Sequence, residues 1–304
     1  MSRIEKALEK ATKMRDNQKV DEHKQVEAQM TGTQIAGSDL PDAFRVDEPV
    51  QLENPYLISA REPNSPISEE YKKLKSFILK ITQSDKFLNT IMVSSTIKGE
   101  GKTITALNLA ITLADEYDYS VLLVDADLRQ PSVHKYLGIP NGIGLSDCIM
   151  NGVSASDATI KTGIGKLVVL PAGSEIHNPV EVLSSNRMKE VIQELKEQIP
   201  NRYVIFDTPP LLPFAESHAI ASSVDGILLV VRDGYTSLNN LKETLNIVKD
   251  SNILGIVYND VEIDRFDGYH YYHYYKSYYS DKNKGEDGNG QKGGLRKFFK
   301  RSKT

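Results

Sequence analysis

Between positions 88 and 261 the chain alternates short, continuous apolar runs with stretches of helical spacing. The runs are TIMVSS (90–95), SVLLVDAD (120–127), KLVVLPAG (166–173), YVIFDTPP (203–210), DGILLVVR (225–232) and ILGIVYND (253–260). Their unbroken apolar character marks strands buried on both faces. Between them, 101–116, 187–198 and 237–249 carry apolar residues at helical period. This alternation predicts an α/β fold with a mostly parallel central sheet flanked by helices. No internal repeat interrupts it.

Outside this region the pattern changes. Residues 67–83, ISEEYKKLKSFILKITQ, repeat apolar positions at helical spacing after a Ser/Glu start. Residues 1–29 predict a charged helix with a thin apolar stripe of Ile4, Leu8, Ala11 and Met14. Gly, Pro, Asp and Ser dominate 30–66, which reads as a linker. The expected domains are therefore 1–29, linker 30–66, an α/β domain over 67–261, a tyrosine cluster at 262–280 and a basic flexible tail at 281–304.

Composition narrows the function classes. A chain of 304 residues with 39% hydrophobic content suits one large domain plus tails. A net charge of −4 gives no reason for a nucleic-acid partner, although 281–304 holds eight Lys/Arg against three Asp/Glu. One cysteine, Cys148, excludes an intrachain disulfide, fits a reducing compartment and reads as a small packing residue. No apolar run approaches the ~20 residues that span a bilayer, and MSRIEKALEKA has no apolar signal core. The expected location is the cytoplasm.

Chemistry enters at TIKGEGKT (96–103), between the strand TIMVSS and a helix. Gly99 and Gly101 allow the backbone to wrap around phosphate oxygens, Lys102 can neutralise them, and the Thr103 hydroxyl can ligate Mg²⁺. Thr96 stands where the usual pattern opens with glycine. Two further strands end in carboxylates: Asp125 and Asp127 in VLLVDADLRQP, and Asp207 in VIFDTPP. Carboxylates there can reach a crevice at the C-terminal edge of the sheet, though a lone aspartate after a strand also serves as a helix cap. Three of them beside a phosphate loop point to a metal–nucleotide site, since Mg²⁺ favours a few carboxylates, waters and phosphate oxygens.

TIKGEGKT, VLLVDADLRQPSVHKYLG, LPAGSEIHNPVEVLSS and YVIFDTPPLLPFAESHAIASSVDGILLVVR, in this order, resemble a bacterial tyrosine kinase of the capsule and exopolysaccharide type. These cytoplasmic autokinases are related to P-loop NTPases of the partitioning (MinD/ParA-like) kind. The likeness covers about 67–280, and MSRIEKALEKA is similar to the start of autokinases linked to exopolysaccharide export. The resemblance implies nucleotide contact by Gly99, Glu100, Gly101, Lys102, Thr103 and Ile104. It implies Mg²⁺ held by Thr103, Asp125 and Asp207, catalysis by Lys102, Asp125 and Asp127, and ATP as phosphoryl donor. Arg129 would lie near the phosphates or a subunit contact, or form a structural salt bridge. EEYKKLK (69–75) corresponds to a subunit-contact helix, with Glu69, Lys72 and Lys75; lysine replaces both family arginines and lacks their bidentate fork. A ring or transient homo-oligomer follows, together with a membrane-embedded activator of the polysaccharide co-polymerase kind that recruits the kinase to the inner membrane face.

Tyr269, Tyr271, Tyr272, Tyr274, Tyr275, Tyr278 and Tyr279 place seven of fifteen tyrosines within eleven positions. No aliphatic residue lies among them, which argues against a core role. In the resemblance they are phosphoacceptors delivered to a neighbouring subunit. A stacking or adhesive surface is the other reading. GLRKFFKRSKT (294–304) offers weak contact with an anionic membrane surface, a counter-charge for phosphotyrosines, or a solvated tail. His270 and His273 lack an evident third metal ligand. Two rival functions stand beside the autokinase: a partitioning-type ATPase switch without protein phosphorylation, whose members carry an extra lysine at the position of Ile97, and a non-catalytic scaffold.

Overall fold

The computed structural model describes residues 53–83 and 86–261. The expected helix at 1–29, the tyrosine cluster, both tail histidines and the basic end lie outside the described residues.

Seven strands form one sheet in the order β3-β4-β2-β5-β1-β6-β7. They are β1 (Thr90–Ser95), β2 (Ser120–Asp125), β3 (Ile160–Lys161), β4 (Leu167–Leu170), β5 (Arg202–Asp207), β6 (Gly226–Arg232) and β7 (Ile253–Asn259). Every neighbouring pair is parallel except β3–β4. Six strands fall on the six apolar runs. The two-residue β3 is too short to leave a sequence pattern.

Ten helices are described. They are α1 (Ile58–Arg61), α2 (Pro66–Thr82), α3 (Lys102–Ala114), α4 (Val133–Leu137), α5 (Leu145–Met150), α6 (Ala155–Ala158), α7 (Pro179–Leu183), α8 (Asn186–Glu197), α9 (Ala215–Ala221) and α10 (Leu238–Ile247). Three of the four longest begin on serine caps. Ser65 accepts the Ser68 amide ahead of Pro66, Ser185 accepts that of Met188, and Ser237 that of Asn240. The helix α3 is apolar around most of its surface and is buried from Thr105 to Ala114, as a helix packed against the middle of a sheet must be.

The core has two sides because successive strand residues point to opposite faces. On the α3 side, Ile91, Val93, Val121, Leu123, Tyr203, Ile205, Leu228 and Val230 pack with Leu107, Ile111 and Ile78. The alternate residues Met92, Leu122, Val204 and Phe206 are buried on the other face.

One boundary differs from the sequence reading. Residues 53–66, assigned to the linker, contain α1 and deliver Leu57, which is fully buried, to the core. The Ser59 amide donates to Asn108 Oδ1 at 2.9 Å, and Asn108 Nδ2 donates to the Tyr56 carbonyl at 2.8 Å. A four-residue helix preceded by one buried leucine leaves no periodicity to detect.

Candidate functional site

The site forms where β1, β2 and β5 end together. Asp125 and Asp207 are register partners on neighbouring parallel strands, both fully buried. The loop between β1 and α3 covers them. It turns through Gly99 (φ 90°) and Gly101 (φ 92°), left-handed conformations open to glycine. Thr96 does not share this requirement, since its φ is not positive, so the backbone at this position accepts a residue other than glycine. A Cβ on Gly101 would overlap the Asn259 amide, whose Nδ2 donates to the Glu100 carbonyl at 2.8 Å.

The helix α3 starts at Lys102, directly after the loop. The first amides of a helix have no intrahelical acceptor and carry the positive end of its dipole, so this end presents N–H groups suited to anions. Lys102 Nζ lies 2.9 Å from Asp127 Oδ2 and 3.4 Å from Asp207 Oδ1. Thr103 Oγ1 donates to Asp207 Oδ2 at 2.7 Å. Asp125 Oδ2 accepts the Ser132 and Val133 amides, each at 3.0 Å, and so anchors the start of α4.

Electrostatics follow from crowding four charged groups in a buried space. Burial, with the neighbouring Asp207 charge, pushes the Asp125 carboxyl up to about 8. Asp207 is raised as well, by burial, against the opposing pull of Lys102 and Thr103. Burial disfavours a charged Lys102, but Asp207 and Asp127 outweigh it and hold the ammonium protonated. Asp125 Oδ1 is buried with no hydrogen-bond partner. A buried, unpartnered carboxylate oxygen beside a second carboxylate and a hydroxyl fits a divalent cation. Among the described residues no cluster of three or more His, Cys, Asp or Glu could cage a metal unaided, which suits an ion that also takes phosphate and water ligands.

The other sequence-predicted residues are placed as follows. Glu100 is fully buried, so only its backbone can meet a nucleotide. Ile104 follows on the first turn of α3, its carbonyl accepting Asn108 Nδ2 at 2.9 Å. Arg129 forms an ion pair with buried Glu216 and stacks 4.9 Å from the Phe214 ring centre. Glu69 and Lys72 pair at 2.6 Å along α2, and Lys75 pairs with Glu116 beyond the end of α3. Cys148 is a buried free thiol pushed by burial to about 11. Sequence reasoning missed the Glu100 side chain, Asn259 and Tyr136. Burial raises the Tyr136 phenol, and the charge of Asp207 adds to this. The spacing of the motifs gives no hint of any of the three.

Known proteins resemble this chain in sequence and fold. A family model described as an AAA domain matches residues 88–254. The tyrosine-protein kinase YwqD of Bacillus subtilis is 35% identical over 218 residues, covering 71% of this chain and 90% of that protein. The chain belongs to the bacterial tyrosine-protein kinases. The putative tyrosine-protein kinase CapB of Staphylococcus aureus is 28% identical over 69% of this kinase and 91% of its own length. Among solved structures, the chimerical protein CapA2B2 aligns with a TM-score of 0.63 at 30% identity, covering 68% of this kinase and 90% of that chain. The kinase thus has the fold of a nucleotide-binding family.

Proposed function

We infer that the kinase transfers the terminal phosphoryl group of Mg·ATP to tyrosines in its own C-terminal cluster on neighbouring subunits, and through this regulates synthesis or export of an exopolysaccharide or capsule. One observation carries the reading: Lys102, Thr103, Asp125, Asp127 and Asp207 converge beneath one phosphate loop.

Each residue then has a defined part. The loop amides and the N-terminus of α3 hold phosphate oxygens. Lys102, charged and only 2.9 Å from Asp127, needs a small movement to neutralise the charge that develops on the phosphates. Thr103, Asp125 and Asp207 would hold Mg²⁺, which when bound neutralises phosphate oxygens and aligns the donor. Asp127 accepts the phenol proton of the incoming tyrosine, whose free pKa is about 10. The tyrosine oxygen bonds to phosphorus, the bond between phosphorus and the ADP oxygen breaks, and the proton passes to Asp127. Transfer of this kind depends on placement and charge stabilisation.

Tyr269, Tyr271, Tyr272, Tyr274, Tyr275, Tyr278 and Tyr279 are the acceptors in this reading. Phosphates add roughly −1.5 to −2 charges each and would drive modified tails out of neighbouring sites. Assembly as a homo-oligomer through Glu69, Lys72 and Lys75, activation by a membrane-embedded partner, recruitment to the inner membrane face and weak membrane contact through 281–304 belong to the same proposal.

The test is intact mass after incubation with Mg·ATP, with and without a candidate activator's cytoplasmic segment. Successive gains of about 80 Da in wild type, absent from Lys102→Met and from a chain ending at residue 267, support the autokinase. ATP loss without mass gain, in both conditions, would replace it with a nucleotide switch.

A further inference from the structure

The Glu100 side chain is fully buried inside the phosphate loop. A carboxylate in such a place is stable only when donors meet it. Oε2 accepts the Ile97 amide at 2.8 Å, and Oε1 accepts the Arg232 amide at 3.2 Å together with the Thr236 hydroxyl. The first contact closes the loop on itself across three residues. The second and third fasten it to the end of β6 and to the connection that leads into α10.

The same neighbourhood places Tyr235 beside the loop and adds one further brace, from Asn259. The Tyr235 hydroxyl would sit 3.5 Å from a Cβ on Gly99, and the Arg232 guanidinium lies 5.3 Å from the Tyr235 ring centre. Asn259 holds the Glu100 carbonyl from the end of β7 at 2.8 Å. The loop is thereby clamped from the side opposite to Lys102 and the aspartates. Its curvature depends on segments more than a hundred residues away in sequence.

We propose that Glu100 is a positioning residue for phosphoryl transfer: its carboxylate sets the shape of the phosphate loop and ties that shape to Arg232 and Thr236. The proposal rests on the loop being the nucleotide site. Its chemical signature is specific. The donors on the two oxygens include two backbone N–H groups, one on each, and neither can reverse its polarity. An amide in place of the carboxylate must turn its NH₂ towards one of them in either orientation. Glu100→Gln is therefore nearly isosteric yet cannot keep the clamp.

The full chain is titrated with a fluorescent N-methylanthraniloyl ADP in the presence of Mg²⁺, as wild type, Glu100→Gln, Thr236→Val, the double variant and Lys102→Met. Thermal melting without nucleotide is recorded for each. Losing a hydrogen bond to a charged group predicts a rise in Kd of about tenfold for Glu100→Gln and about threefold for Thr236→Val. The double variant should be no weaker than Glu100→Gln alone, because both act through one clamp. Wild-type affinity in a folded Glu100→Gln, whatever its melting temperature, overturns the proposal. If Glu100→Gln does not fold, Thr236→Val decides: unchanged Kd overturns the proposal and weakened binding supports it. Wild type that binds no better than Lys102→Met would overturn the nucleotide reading itself, a separate result.

Discussion

Asp125 and Asp207 face one another in register at the ends of β2 and β5, two buried carboxylates with one ammonium, Lys102, to share. Burial, with the repulsion of Asp207, raises the Asp125 carboxyl to about 8, far above an unfolded aspartate near 4. In metal-free protein the folded state therefore binds the proton more tightly than the unfolded state. That stabilisation is fully present below the unfolded value and is lost as pH rises through the folded one. Thermal stability in EDTA should fall between about pH 4 and about pH 8, and Asp125→Asn should flatten this slope. A variant with the same slope as wild type would place the titration elsewhere.

Lys102 and Asp127 make a second pair, at 2.9 Å, whose members should separate by function. In the proposed reaction Lys102→Met removes the charge that stabilises the transferring group, and a loss of about 10³-fold in phosphorylation rate is expected. Asp127→Asn keeps the volume and removes the proposed proton acceptor, so the rate should fall about 10²- to 10⁴-fold. Nucleotide affinity, measured by titration, should change little for Asp127→Asn. Rate and affinity falling together in Asp127→Asn would instead make Asp127 a binding residue.

Much of this was legible in the sequence, for physical reasons. Strands buried on both faces must be apolar throughout, so β1, β2, β4, β5, β6 and β7 announce themselves, and the loop and its aspartates follow from where those strands end. The rest depended on partners far apart in the chain. Glu100 meets Thr236 across 136 positions, and no local pattern encodes that pairing. Short helices such as α1, α4 and α7 make less than two turns and carry too few apolar residues to show a period. Lys72 and Lys75 illustrate the opposite limit: the intersubunit role that the resemblance implies needs a second chain, and within one chain the two side chains pair with Glu69 and Glu116.

Gly101 combines two demands, a φ of 92° and a backbone pressed against the Asn259 amide. Gly101→Ala should cost about 1–3 kcal/mol in stability and weaken nucleotide binding more than it lowers melting. Shortening the obstacle, in Gly101→Ala with Asn259→Gly, relieves the overlap but not the φ strain. Only partial recovery in chemical denaturation is expected. Full recovery would mean that the steric contact alone required glycine, and none at all would assign the whole defect to backbone conformation.

Leu57 tests where the folded unit begins. It lies ahead of α2, in a segment composed like a linker, yet no part of its side chain reaches solvent. It packs into the cluster formed by Ile78, Leu107 and Ile111, so truncating it leaves a cavity against α3, the helix that carries Lys102 and Thr103. Leu57→Ala should lower unfolding free energy by about 2–5 kcal/mol, the range for large-to-small changes in a packed core. Urea denaturation followed by circular dichroism measures this directly. Ile67, on the exposed side of α2 at 55% accessibility, supplies the control, since Ile67→Ala removes side-chain volume from the surface and should cost well under 1 kcal/mol. Equal, small effects at both positions would mean that the folded unit begins after residue 61 and that α1 is dispensable to it.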